Sequence, residues 1–419
     1  MNPPVFSPSA GNVTPSSASK AFHIPSLDGI RAISILIVFL SHAGLHKVIP
    51  GVFGVTVFFF LSGFLITTLL RIEHGQSGGI NLRDFYLRRI LRIFPPFYLV
   101  LAGIVILAML GVLSSGFDWS AVTAQALHMA NYQEIFGSGA QPQGTEVLWS
   151  LAVEEHFYLV FPFVYILLRR WLPDPFHQFC VLAGLAAGVL AWRFALVYGL
   201  QAVTLDPKAA FDPRICHGTD TRFDSLLFGC MLAVYGNPVL DRSRFGRGTW
   251  VWVFVPLSAA TLLASFVVRD PGFRETLRYS VQGIALFALF IAAIRFPEWG
   301  IFRALNWRWV RVLGVLSYSI YLTHFAIIFA VQKWFPVAGS TTGSGRIFHI
   351  ALQGVIALVL TISLSALLHH GIERPCARLR KTLSRIQGSP ESRKQEQKSA
   401  QAFGLPVTNN TAFPDVSAV

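Results

Sequence analysis

The sequence predicts an all-α protein, a polytopic transmembrane bundle of about ten helices. Of its 419 residues, 53% are hydrophobic and only 13% are charged, whereas soluble domains are nearer one quarter charged. Apolar runs of about 18 residues or more, each long enough to cross a bilayer, recur along the chain. Lysine and arginine are concentrated in alternate connections between these runs, which is typical of membrane proteins.

The apolar runs predict helices because a backbone in hydrocarbon must satisfy its own polar groups. The predicted helices are residues 29–47, 52–70, 95–113, 149–167, 178–199, 223–239, 250–268, 278–294, 312–332 and 348–370. The sixth run is short and ends at Pro238. Residues 1–22 and 382–419 have the polar composition of disordered segments, which leaves residues 23–381 as the transmembrane domain.

The distribution of basic residues predicts the orientation. If the N-terminus is cytoplasmic, most lysines and arginines of the connections lie on the cytoplasmic side, and residues 114–148, a long connection, contain neither. Both termini are therefore predicted to be cytoplasmic. This asymmetry accounts for the net charge of +13, so no nucleic-acid partner is expected.

Arg31 and His42 lie on the first predicted helix, eleven residues apart. At about 100° per residue, both side chains project from one face, separated by roughly 16 Å along the axis. An arginine that binds an anion could thus be aligned with a base inside the membrane. The alternative is that Arg31 reaches lipid phosphate and His42 hydrogen-bonds a neighbouring helix.

A cluster of arginines precedes the third predicted helix. Arg88 and Arg92 are spaced i, i+4, and Arg89 and Arg92 i, i+3, so their side chains can converge on one anion. Arginine binds phosphate through two hydrogen bonds. The alternative is a positive-inside signal that contacts lipid headgroups.

Two adjacent acids, Glu154 and Glu155, lie near the start of the fourth helix. In the predicted orientation they lie at a depth similar to that of His42. Either carboxylate could orient the histidine as a general base, and only one of the two is expected to face a given site. The alternative is that the acids favour the positive end of the helix dipole.

Further polar residues occur on the sixth, ninth and tenth helices. From the sequence alone, a role in local packing or helix capping is the favoured explanation for these polar residues. Those retained as possible acceptor-side residues are Arg222, Asp224, Tyr318 and His324.

Seven segments, taken together and in order, resemble the acyltransferase type 3 family, which includes the sugar O-acetylases of bacterial surface polysaccharides. They cover roughly residues 26–375 and read LDGIRAISILIVFLSH, GVFGVTVFFFLSGFLIT, FYLRRILRIFP, WSLAVEEHFYL, RFDSLLFG, LSYSIYLTH and ERP. Two positions depart from the family pattern: His156 stands where Gln is frequent, and Thr323 where an aromatic residue is common. Because of these departures, the resemblance does not identify the acyl chain that is transferred or the acceptor that receives it.

The resemblance implies a membrane-bound O-acyltransferase in the bacterial inner membrane. It implies transfer of an acyl group, expected to be acetyl, from cytoplasmic acyl-CoA to a sugar hydroxyl of a polysaccharide, glycolipid or related glycoside. His42, with Glu154 or Glu155, would be catalytic, and Arg31, Arg88, Arg89 and Arg92 would bind the donor. Acyl-CoA is then a co-substrate, no bound cofactor or metal is expected, and the partners are membrane lipids and the acceptor.

The alternative is a glycolipid transporter or flippase, which would use the same polar interior for passage. Transporter folds often contain repeated halves, and no internal repeat is evident in the sequence.

Overall fold

The protein is described by a computed structural model over residues 24–113, 116–203, 205–206, 211–336 and 344–387. Within these residues the fold is helical, which confirms the predicted fold class. The segment 1–22 and residues 388–419 of the tail, both predicted to be disordered, lie outside the described residues.

The described residues form eight helices that are long and apolar enough to cross a membrane, and a ninth if the bent α12 is counted as one span. The long helices and three of the short ones are α1 Pro25–Leu40, α2 Gly51–Ser77, α3 Leu82–Met109, α4 Trp119–Ala126, α5 Ala130–Phe136, α6 Trp149–Trp171, α7 Pro175–Phe194, α8 Pro213–His217, α9 Thr219–Val234, α10 Arg247–Val267, α11 Arg278–Arg295, α12 Arg308–Trp334, α13 Ser344–Leu368 and α14 Arg374–Gln387. Of these, α4, α5 and α8 are short helices in the connections.

Helix α9 corresponds to the sixth predicted helix and has only 16 residues. It packs against α2, α7 and α11, and nearly all of its side chains are buried. A helix that is covered on all sides by protein needs no amphipathic pattern. The apolar run of α9 is short because this helix lies in the interior of the bundle, covered by other helices.

Glycines allow the central helices to approach closely. A Cβ on Gly63 of α2 would lie 2.0 Å from the carbonyl oxygen of Leu226, and one on Gly229 of α9 would lie 1.9 Å from that of Phe60. Small residues at helix crossings are typical of membrane proteins because they let backbones meet. Gly314 of α12 has the same role against Asp28 of α1.

Helix α3 begins earlier than the sequence predicted, at Leu82 instead of residue 95. The side chain of Asn81 accepts the N–H of Asp84 and caps the helix, and Pro95 and Pro96 lie inside it. The arginine cluster therefore lies on the first turns of a helix and not in a loop. At the other end of the chain, α14 extends to Gln387, past the predicted start of the tail at residue 382.

Helix α12 bends by 72° between Val315 and Ser317. Gly314 and Ser317 flank this bend, and residues of this type are frequent at kinks. Ser317 and the turns that follow it face the interior cavity described below. The bend thus brings the polar residues of α12 to the centre of the bundle.

Candidate active site

A cavity of about 830 Å³, including its opening, lies among helices α1, α2, α3, α6 and α12. Its wall combines the apolar residues of α2 with polar residues from all five helices. The polar residues are Arg31, Ser62, Arg89, Arg92, Ser150, Glu154, Glu155, Tyr158, Ser317, Tyr318 and Tyr321. An apolar pocket with a few convergent polar groups is the usual form of a small-molecule site.

Three arginines on two helices face this cavity. Arg31 lies 3.4 Å from the Asp28 carboxylate, and the guanidinium of Arg89 lies 5.4 Å from the ring centre of Tyr158. Nη1 of Arg92 is buried without a hydrogen-bond partner. Among the described residues, neither Arg89 nor Arg92 forms an ion pair with a carboxylate. Buried cations are costly unless they are paired, so this wall is suited to an anion.

Glu154 and Glu155 both line the cavity, contrary to the prediction that only one could. Adjacent helical residues differ by about 100° in direction, and the cavity is wide enough to reach both. Glu154 Oε1 accepts the Ser62 hydroxyl at 2.8 Å, and its Oε2 accepts the Tyr158 hydroxyl at 3.1 Å. Hydrogen bonds from two different helices therefore fix this carboxylate.

His42 lies just beyond α1, in a π-helical turn from Ser41 to Leu45. Such turns are rare and are frequent at functional sites. Arg31 lines the cavity and His42 does not, so the cavity that Arg31 faces ends before it reaches His42, eleven residues further along the chain. Nδ1 of His42 lies 2.9 Å from Nε2 of His324. Of the carboxylates predicted to orient His42, Glu154 is bonded instead to Ser62 and Tyr158, and Glu155 lines the cavity.

Tyr321 connects the cavity with the histidine pair. It lines the cavity, and the centre of its ring lies 5.5 Å from that of His324, one turn further along α12. Its hydroxyl is 2.6 Å from Oγ of Ser150 and donates to the carbonyl oxygen of Val147 at 2.9 Å. Tyr321 therefore lies between the arginine-lined cavity and His42.

The connection before α6 packs over the same region. A Cβ on Gly144 would lie 2.5 Å from that of Ala326, and the positive φ of Gly144, 100°, suits glycine. Oε2 of Glu146 accepts the Gly144 N–H at 2.7 Å. Burial raises the pKa of the Glu146 carboxyl, and hydrogen bonds from backbone N–H groups, including that of Gly144, oppose the rise. This connection therefore packs against α12 at Ala326 and Tyr321.

The family model described as an acyltransferase domain matches residues 24–370. The chain belongs to the acyltransferase type 3 family. The matched range contains every residue of the cavity wall and both histidines of the pair. The candidate site of this acyltransferase family member therefore lies inside the family domain.

Three relatives illustrate the similarity. The peptidoglycan O-acetyltransferase OatA of Listeria monocytogenes is 27% identical over 326 residues, which cover 73% of this chain and 49% of OatA. The O-acetyltransferase OatA of Staphylococcus aureus is 28% identical over 351 residues, which cover 80% of this chain and 55% of that protein. YrhL of Bacillus subtilis, provisionally named a peptidoglycan O-acetyltransferase, is 30% identical over 374 residues, which cover 84% of this chain and 55% of YrhL. The chain spans about half the length of these relatives. No solved structure matches it.

Arg88 is placed differently from the other predicted donor-binding residues of this acyltransferase family member. Its Nη2 lies 2.8 Å from Oε2 of Glu73, and it is not part of the cavity wall. Arg88 and Arg89 point in different directions because they are adjacent on a helix. Arg31, Arg89 and Arg92 are thus brought together, and Arg88 is not.

The predicted acceptor-side residues separate into two groups. Tyr318 lines the cavity and donates to the carbonyl oxygen of Ile93 at 2.8 Å, and His324 contacts His42. Asp224 instead forms a fully buried ion pair with Arg193 at 2.7 Å.

Arg222 is also fully buried. Its guanidinium lies 3.9 Å from the ring centre of Tyr279, and its Nη2 donates to Oγ1 of Thr56 at 2.9 Å. Arg222 and Asp224 therefore hold helices together away from the cavity.

The sequence argument did not select Ser62, Tyr158 and Tyr321 as site residues, although each lies in a segment that carries the family resemblance. Only the spacing of Tyr158, four residues after Glu154, could have signalled a contact. Ser62 and Tyr321 come from other helices, and no local pattern relates them to Glu154 or His42.

Proposed function

We propose that this chain is a membrane-bound O-acyltransferase that uses acyl-CoA, with acetyl-CoA as the expected donor. The observation that supports this most is the cavity inside the bundle, with three arginines and Tyr321 in its wall and the histidine pair behind Tyr321. Such a cavity can accept a molecule that is anionic at one end and reactive at the other.

The donor enters from the cytoplasmic side, where the charge distribution places the start of α1 and of α3. Arg31, Arg89 and Arg92 bind phosphate groups of CoA, because a guanidinium forms paired hydrogen bonds with phosphate oxygens. Bound phosphate would neutralise Arg89 and Arg92, which form no ion pair with a carboxylate among the described residues. The thioester then points along the cavity toward Tyr321 and the histidine pair.

His42 acts as the general base. A sugar hydroxyl is a weak nucleophile at neutral pH, and imidazole is suited to remove its proton. As the hydroxyl oxygen attacks the carbonyl carbon, its proton passes to His42. The carbon–sulfur bond then breaks, and the CoA sulfur leaves as a thiolate that takes up a proton. The products are the O-acyl sugar and free CoA.

The acceptor is a sugar hydroxyl of peptidoglycan or another surface polysaccharide. The names of the relatives support this acceptor class, and the basic residues support an inner-membrane protein with cytoplasmic termini. The pair His42–His324 lies beyond the arginines along α1 and therefore toward the outer side of the membrane in this orientation.

The experiment uses the full chain in lipid nanodiscs with radiolabelled acetyl-CoA and soluble peptidoglycan fragments. We expect acceptor-dependent release of free CoA and label in the glycan, both abolished in His42→Gln. Movement of a labelled glycolipid across the bilayer without any CoA release would overturn the proposal and favour a flippase.

A further inference from the structure

His324 is fully buried on α12 and makes polar contacts through both ring nitrogens. Its Nδ1 lies 2.8 Å from the carbonyl oxygen of Tyr321 and 3.1 Å from that of Ile320. A carbonyl oxygen can only accept a hydrogen bond. Nδ1 of His324 therefore carries a proton.

The surroundings of His324 favour the neutral ring. Its ring neighbours are Phe39, His42, Tyr321 and Phe325, and its hydrogen-bond partners in the described chain include no carboxylate. A buried charge without a counter-ion is unfavourable. A neutral ring with a proton on Nδ1 has an unprotonated Nε2, which accepts a hydrogen bond.

The contact between the two rings completes the argument. Nε2 of His324 is 2.9 Å from Nδ1 of His42, whereas the ring centres are 5.2 Å apart and the ring planes differ by 18°. The two nitrogens therefore lie between the ring centres and meet edge to edge. Nδ1 of His42 must then be the donor, which leaves Nε2 of His42 with the free lone pair.

We propose that His324 is a positioning residue, which fixes the tautomer and direction of His42 so that its Nε2 acts as the base. This inference rests on the proposed function of His42. Two backbone carbonyls of α12 set the proton on His324, and His324 in turn sets the proton on His42. During transfer the same hydrogen bond stabilises the positive charge that develops on His42. A neutral histidine thus has the orienting role that a carboxylate often has beside a catalytic histidine.

The first test compares variants in the nanodisc assay. His324→Leu removes the acceptor, and we expect kcat to fall roughly 10- to 100-fold, the scale for losing a group that orients a histidine, with an unchanged KM for acetyl-CoA. His324→Gln offers an amide oxygen to His42 Nδ1 and should recover most of kcat. Phe325→Leu is the matched control, because Phe325 also packs on His42, at 4.5 Å between ring centres, but accepts no hydrogen bond from it.

A second test does not depend on acyl transfer. Diethyl pyrocarbonate reacts with an unprotonated imidazole nitrogen, and mass spectrometry of the His42 peptide gives the rate. We expect this rate to fall at least about threefold in His324→Leu, because the neutral ring then divides between two tautomers and its lone pair lies part of the time on Nδ1, which faces the buried side chain at position 324. The rate should stay near the wild-type value in His324→Gln and Phe325→Leu.

The outcomes separate the two proposals. Normal kcat and normal carbethoxylation in His324→Leu would overturn the positioning role while leaving His42 as the base. An equal loss in Phe325→Leu would also overturn it, since packing alone would then explain the effect. Full activity of His42→Gln, or no CoA release by the wild type, would refute the proposed function, and the carbethoxylation rates would still decide the tautomer.

Discussion

Arg88 and Arg92 are one helical turn apart on α3 but have different surroundings. Arg88 pairs with Glu73 at 2.8 Å, whereas Arg92 faces the cavity with one nitrogen that has no partner. A guanidinium with a buried, unused donor is the better anchor for an incoming phosphate, because ligand binding then satisfies that donor and pairs the charge. Neighbouring arginines thus differ in their surroundings although their residue type is the same.

Arg92 should therefore affect donor binding more than Arg88 does. Loss of a charged hydrogen bond costs about 1.5–3 kcal/mol, so we expect Arg92→Ala to raise the Kd for CoA roughly 10- to 100-fold. Arg92→Lys should recover little, since an ammonium does not provide the same paired donors. Calorimetric titration of the purified protein with CoA measures this. Arg88→Ala is the control, and an equal loss of affinity in that variant would contradict the assignment.

His42 gives the second prediction at this scale. His42→Ala should lower the rate of acyl transfer by about a hundredfold or more, the usual scale for loss of a general base. His42→Gln should be nearly as inactive, because an amide cannot accept the proton. Both variants should be folded, as gel filtration and thermal unfolding can verify. Near-normal transfer at matched protein concentration would show that His42 only packs.

Helices α2 and α9 show how packing positions the site. The face of α2 that meets α9 carries Gly63, and other residues of α2, including Ser62 and Phe58, line the cavity. Any displacement of α2 by a larger residue at the crossing would move Ser62, which holds Glu154. The crossing of these two helices therefore supports a carboxylate on a third helix.

Gly63→Ala tests this arrangement. The new methyl group would lie 2.0 Å from a backbone oxygen, and a backbone cannot yield as a side chain can. We expect the free energy of unfolding to fall by about 1–3 kcal/mol, as for other overpacked sites, with a lower melting temperature in detergent. Gly103→Ala on α3 is the control, because a Cβ there meets open space, and its stability should change by less than about 1 kcal/mol. Equal melting temperatures for both variants would argue against the tight crossing.

At the scale of the whole molecule, the bundle places charge at its ends and a polar cavity in its centre. The N-terminal ends of α1 and α3, with Arg31, Arg89 and Arg92, form one part of the cavity wall. The connection before α6, which lacks Lys and Arg, packs against Ala326 of α12, two residues after His324. The proposed orientation thus brings donor and acceptor to the cavity from opposite sides of the membrane.

Labelling of single cysteines tests this orientation. Ser138 is exposed in the connection before α6, so Ser138→Cys should react with a membrane-impermeant maleimide applied to spheroplasts. Cys376 at the start of α14 is the internal control and should react only after permeabilisation. Cys180, which is exposed on α7, is replaced by serine in the same background. Labelling of Cys376 and not of position 138 on intact cells would reverse the topology.

The sequence by itself determined the membrane class, the helices and the family. Long apolar runs have one stable form in hydrocarbon, so nearly every predicted helix has a counterpart in the structure. The arginines, carboxylates and histidines of the site were also visible, because charged residues are conspicuous in apolar segments. The start of α3 was misplaced because an apolar run marks only the membrane-crossing part of a helix, and the first turns of α3 are rich in arginine. Proline is also favoured at the first turn of a helix and unfavourable inside one, yet Pro95 and Pro96 lie inside α3.

Only the tertiary structure decided which of these residues meet. Arg88 and Arg92 look alike in sequence, but in the structure Arg88 forms an ion pair with Glu73 and Arg92 faces the cavity. His42 was predicted to pair with Glu154 or Glu155, and it pairs with His324, which is 282 residues away in the chain. Contacts between helices depend on how each helix is rotated and bent, including the π-helical turn after α1 and the 72° bend of α12. Local sequence fixes where a helix lies in the chain, whereas packing of all the helices fixes which side chains share a cavity.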